Sequence, residues 1–242
     1  MMKSILFGFC LVAVLSACDS GDIETQYSTL RSGQTVKLTA MVVGAKDWPD
    51  KYSLALAGFN GETNYAVVQK TLPSFTEDST CVELILGNLA EQVTDVEFAV
   101  TNKLRERILS LERIRLEDYP ETTDTICMDL GVVDVSLFGC LQNGVFNQAC
   151  VQCHGGNGRS AADLNLTPDH AFSQLVGVPS SRIDGLCRVV GGEPSRSVLY
   201  KILIEGEENL LTYNHTEILN SQFKDNRRGV LDVIEEWIKS LD

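Results

Sequence analysis

Two cysteines and a histidine stand together in the stretch Cys150-Val151-Gln152-Cys153-His154. Two thiols three positions apart on a helical turn point the same way, and the next residue projects an imidazole beside them. Side chains of these types can ligate a metal, form a redox dithiol, or bond covalently to a porphyrin that carries its own iron. A zinc site requires a fourth ligand and usually a second Cys or His pair, which the sequence does not offer. A thioredoxin-like dithiol requires a βαβ setting, which the flanks do not supply. Cys-x-x-Cys-His is the signature of c-type haem attachment: the two sulfurs bond the two vinyl groups of one porphyrin, and the histidine binds the iron. Composition alone would produce about 0.003 such matches in 242 residues, so the motif is read as Cys150 and Cys153 tethering one covalent haem c with His154 as its proximal ligand.

The elements around this motif read as helical. Val135, Phe138, Leu141, Val145, Phe146 and Ala149 share a helical face leading into Cys150, and Val230, Leu231, Val233, Ile234, Trp237, Ile238 and Leu241 repeat as a closing amphipathic helix. Upstream, alternating runs at residues 35–43, 52–59, 65–69, 81–86, 93–101 and 107–116 predict short strands separated by turn signals such as Asn60-Gly61. Residues 104–111 also read as a short helix. The expectation is two domains: an all-β sandwich-like domain over residues 33–130 and a mostly α domain over residues 131–242, with residues 117–126 as a linker.

Residues 5–15 are apolar after a positive start, too short for a membrane span and shaped like an export signal. Leu15-Ser16-Ala17-Cys18 resembles the lipobox of bacterial lipoproteins. That resemblance implies a signal over residues 1–17, a lipid on Cys18 and a tether over residues 18–32; an ordinary signal with unmodified Cys18 is the alternative. The implied location is the cell envelope, facing the periplasm or the exterior. Asp19 resembles a retention signal for the inner membrane in some bacteria only, so inner and outer membrane both stay open. Export puts thiols in an oxidising compartment. Cys81, Cys127, Cys140 and Cys187 then allow three pairings, of which Cys81–Cys127 and Cys140–Cys187 keep each bond within one expected domain. The formal net charge of -13 argues against a nucleic-acid partner and against peripheral binding to anionic membranes.

The stretches "GVFNQACVQCHGG", "AADLNLTP", "AFSQLVGVPS", "CRVVGGEPSRSVLYKI" and "VIEEWIKSLD" resemble a family of bacterial monohaem c-type cytochrome domains over about residues 136–242. The resemblance implies a cytochrome c-like fold whose first and last helices cross, with Phe146 and Trp237 at the crossing. It places Leu164, Leu166, Val189, Leu199 and Tyr200 near the haem and Arg188 beside a propionate. The family commonly has a Met-Pro pair before the closing helix, its methionine being the sixth iron ligand. This chain has no methionine after Met128. His215 falls about where that methionine would stand and is the expected distal ligand. An open or water-bound position lined by Tyr213 or Asn214, and ligation by His170, are the alternatives. The expected function is single-electron transfer to redox protein partners in the envelope. A haem-based sensor or peroxidase-like enzyme with an open distal site, and a structural or binding lipoprotein with an ancillary haem, are the competing readings; no catalytic constellation is evident.

Overall fold

The computed structural model describes residues 33–241 apart from residues 75–76, 121, 157, 159 and 205–209. The export signal, Cys18 and the tether therefore lie outside the described residues.

Strand β1, Thr35–Val43, sets the pattern. Val36, Leu38, Ala40 and Val42 are buried while Lys37, Thr39 and Met41 face outward, as the two-residue period of a strand requires. Four strands follow in order: β2 (Tyr52–Phe59), β3 (Val68–Thr71), β4 (Ser79–Leu86) and β5 (Asp95–Asn102). β6 (Arg107–Arg115) and β7 (Thr125–Asp134) complete two sheets, ordered β4-β1-β7 and β3-β2-β5-β6. β1 pairs antiparallel with β4 and parallel with β7; every pairing in the second sheet is antiparallel. Residues 107–111 are strand rather than helix. A tight turn precedes them, with Arg105 left-handed at φ 63 and Asn102 Oδ1 accepting from the Leu104 and Glu106 amides.

The expected split into an all-β part and a separate mostly α cytochrome c-like domain is not what forms. The described chain is mostly β, and after Asp134 its helices are short. α1 is Leu137–Leu141, continuing as a π-helical stretch Gln142–Cys150 and α2, Val151–His154. α3 (Ala171–Leu175), α4 (Val198–Lys201) and α5 (Thr216–Gln222) are one or two turns each. α6, Arg227–Lys239, is the longest single α-helix among the described residues. The cause lies in the segments between, where Gly, Pro and Ser break the helical period: "GVPSSRIDG" and "GGEPSRS" run as bends and single backbone bridges, such as Val176 with Val189 and Cys187 with Ser197.

One apolar core joins the sheets to these helices. It runs from Leu38, Leu56 and Phe98 through Ile108 and Leu109 to Phe146, Ile234 and Trp237, and the described residues cluster as one compact unit. Close approach is built in: a Cβ on Gly144 would meet Leu109 Cβ at 3.2 Å, and one on Gly229 would meet Ile108 Cδ1 at 2.6 Å. Polar ties reinforce it, with Gln148 Nε2 donating to Ser110 O (3.1 Å) and Asn226 Nδ2 to Ile108 O (2.6 Å). α6 buries Val230, Val233, Ile234, Trp237 and Ile238, the face its spacing predicts. Trp237 does meet the first helical segment, but through Phe138 (ring centroids 5.1 Å). Phe146 stands one ring further back, 6.1 Å from Phe138.

Candidate functional site

The π-helical stretch delivers the motif. Its wider turn puts Val145, Phe146 and Ala149 on the wall of a cavity of about 510 Å³, and Cys150, Cys153 and His154 continue that wall through α2. π-helical insertions are uncommon and concentrate at functional sites. α4 and the residues after it contribute Leu199, Ile202 and Leu203, while Tyr213, His215, Ile218 and Leu219 come from the start of α5 and the segment before it. The volume lies within the roughly 300–1,000 Å³ of cofactor pockets, and the lining is largely apolar, which suits a porphyrin face.

His154 and His215 belong to segments some sixty residues apart, yet both open onto this cavity. Their ring centroids are 6.3 Å apart and their planes lie 20° from parallel. Nδ1 of His154 is 2.9 Å from the Ala161 carbonyl oxygen, and Nδ1 of His215 is 3.0 Å from the Tyr213 carbonyl oxygen. A carbonyl can only accept, so each Nδ1 carries the proton and donates it. A neutral imidazole with its proton on Nδ1 keeps its lone pair on Nε2, the tautomer in which a carbonyl orients a histidine ligand toward a metal; the Leu164 main chain also bonds the His154 ring. Burial lowers both imidazole pKa values and favours the neutral form a metal needs. With a metal–imidazole bond of about 2 Å and a ring nitrogen about 1.1 Å from its centroid, two imidazoles on one ion have centroids roughly 6 Å apart. The spacing fits.

Comparison of the chain with family models, with curated proteins and with solved structures finds no match.

The same residues bear on the other chemistries open to the motif. Burial pushes the Cys150 thiol up to about 12, the opposite of the depressed value that makes a dithiol reactive. Among the described residues, no group of three or more His, Cys, Asp or Glu side chains is arranged to hold a metal ion by itself. A haem would bring its own iron ligands and would need only His154 and His215 from the protein.

His170 stands apart: it is exposed, bonded to Thr167 Oγ1 at 3.2 Å, and does not line the cavity. Asn214 spends its Oδ1 on the Thr216 amide and hydroxyl at the start of α5, whereas Tyr213 lines the cavity and packs edge-on against His215 at 5.2 Å. Of the apolar residues expected near the haem, Leu164, Leu166 and Leu199 line the cavity. Val189 is buried behind them, and Tyr200 turns to Glu235 with a 3.0 Å hydrogen bond. Arg188 is half-buried on the cavity wall.

The expected disulfides are absent among the described residues: Cys81, Cys127, Cys140, Cys150, Cys153 and Cys187 are free thiols. Cys81 and Cys127 flank β1 on opposite sides, opposite Met41 and Lys37 respectively. Two strand spacings across and four residues along place them roughly 16 Å apart, far beyond disulfide reach. Cys140 is fully buried in α1, and Cys187 lies on a backbone bridge to Pro179 and Ser197.

Sequence reasoning missed the carbonyls of Ala161 and Tyr213, because main-chain acceptors leave no signature in residue type. It also missed Arg182, an exposed residue of the cavity wall whose guanidinium has no partner among the described residues. No described helix is long and apolar enough to cross a membrane.

Proposed function

We propose that the chain is a one-electron carrier holding a single covalent haem c, with His154 and His215 as its two axial ligands. The observation that carries this reading is the near-parallel imidazole pair, 6.3 Å between centroids, on the wall of a cavity that Cys150 and Cys153 also line. Such a haem supplies reversible one-electron iron chemistry, at lower potential with two histidines than with a methionine. Cys150 and Cys153 each add S–H across one vinyl group, which tethers the group permanently. The Ala161 and Tyr213 carbonyls hold the two imidazoles in one tautomer and one orientation. Leu164, Leu166, Leu199 and Leu219 exclude water from the ring faces. Were His154 and His215 both to hold the iron, the site would favour electron transfer over ligand sensing or peroxide chemistry, both of which need an open position.

The partners on this reading are redox proteins of the cell envelope, with Cys18 as the lipid anchor. The resemblance of residues 136–242 to bacterial monohaem cytochrome domains supports the reading through its motifs, and the helical fold it implied is not part of the proposal. The test is the ultraviolet–visible and EPR spectrum of the mature protein. A denaturation-resistant haem with a low-spin, two-imidazole ferric signal is expected; protein without covalent haem would overturn it.

A further inference from the structure

The proximal side of the site rests on a strained turn. Ala162 (φ 58, ψ 28) and Asp163 (φ 54) both take left-handed backbone conformations that are costly for any residue with a Cβ. This turn directly follows Ala161, whose carbonyl receives the His154 Nδ1 proton, so something must hold it in place. Arg188 does: its Nη2 donates to the carbonyls of Ala162 (3.2 Å) and Asp163 (3.0 Å), and its Nη1 to that of Gln174 (2.9 Å). Ser181 Oγ adds a bond to the Ala162 carbonyl at 2.7 Å.

We propose that Arg188 is a positioning residue for His154, clamping the Ala162–Asp163 turn so that the Ala161 carbonyl stays on Nδ1. The bond inventory separates this role from propionate binding. A guanidinium grips a carboxylate in two-toothed fashion through Nε with Nη2 or through Nη1 with Nη2. Both edges use Nη2, and both of its hydrogens are spent on main-chain carbonyls. Arg182, whose guanidinium has no partner among the described residues, is a cation left for an acid group. Strain held by an independent clamp is the expected way to keep an unfavourable turn at a functional site.

The proposal rests on the haem reading for its consequence, and its test keeps the two apart. In the purified holoprotein, Arg188→Lys keeps the charge but cannot bond three carbonyls at once. It should speed hydrogen exchange of the His154 Nδ1 proton at least about tenfold and shift the low-spin EPR g values. Ser181→Ala, at an exposed position, should do the same to a smaller extent. Wild-type exchange and EPR in Arg188→Lys would overturn the clamp, as would a changed reduction potential with unchanged exchange, the signature of a propionate partner. If the wild-type protein carries no covalent haem, the functional reading falls, and nitrogen NMR of the His154 tautomer in that same chain decides the clamp. One Nδ1–H tautomer in the wild type and a mixture in Arg188→Lys support it; identical tautomer ratios overturn it.

Discussion

Tyr52 Oη donates a 2.5 Å hydrogen bond to Asp232 Oδ2, tying the second strand to the last helix across 180 residues of chain. Lys51 Nζ reaches the same carboxylate at 2.7 Å and Glu236 at 3.1 Å. With the shared core behind them, these bonds make the sheets and the helices that line the cavity one cooperative body. Thermal unfolding followed by Trp48 and Trp237 fluorescence and by haem absorbance should give coincident curves. Tyr52→Phe, which removes one bond from a mostly buried ring, should cost about 1 kcal/mol.

The same cluster sets a pH dependence. Burial acts to raise the Asp232 pKa, but hydrogen bonds from Lys51 and Tyr52 outweigh it and hold the carboxyl below its ordinary 3.8. A depressed folded-state value means that the stabilisation is present above the unfolded pKa and is lost as pH falls through the folded one. The Lys51 pKa is raised above 10.5, its bonds to Asp232 and Glu236 overcoming burial, so its contribution is lost only as pH rises beyond that value. Asp232→Asn should flatten the acid limb of a stability–pH curve below about pH 4 and leave the neutral region less stable by less than about 1 kcal/mol, because the pair is partly solvated.

On the proposed haem reading, removing His215 should open one face of the iron. His215→Ala is expected to bind carbon monoxide rapidly in the reduced state, whereas the wild type and His170→Ala bind it slowly or not at all. Equal binding by all three proteins would assign the sixth position to something other than His215.

Exposed thiols should react and buried ones should not. Cys81 and Cys127 are exposed, whereas Cys140 is fully buried with its pKa raised well above the ordinary thiol range by burial. Native alkylation should label Cys81 and Cys127 and spare Cys140 until the protein unfolds, and mass spectrometry should find no Cys81–Cys127 crosslink.

In the second sheet, Glu97 is fully buried and held by Arg107 at 2.6 Å. Arg107→Ala leaves that carboxylate without its close cation and should cost about 3 kcal/mol in a denaturant titration. Arg107→Ala combined with Glu97→Gln should recover part of the loss.

The site was more legible in the sequence than the fold around it. Cys150, Cys153 and His154 announce themselves by adjacency, and His215 emerged because the stretch before the closing helix lacks a methionine. Arg188 was singled out by type and position, but which oxygens its guanidinium meets depends on a turn whose left-handed residues, Ala162 and Asp163, are not the glycines that usually mark one. β7 was hidden for a different reason. The 117–126 stretch reads as linker, and the strand exists because β1, distant in sequence, offers Val36, Leu38 and Val42 as partners for Ile126, Met128 and Val133. The π-helical stretch was invisible because its apolar spacing suits a 3.6-residue period nearly as well.

That parallel β1–β7 pairing also bears on timing. It closes a loop of about ninety residues, the kind of distant pairing that forms late because chain entropy must be overcome before any contact rewards it. Ser136, α1 and the π-helical stretch follow β7 almost without a break, so the wall that half-buries Cys150 is complete only after this closure. Of the two thiols it is Cys150 whose access this closure narrows, since Cys153 stays exposed in the folded chain.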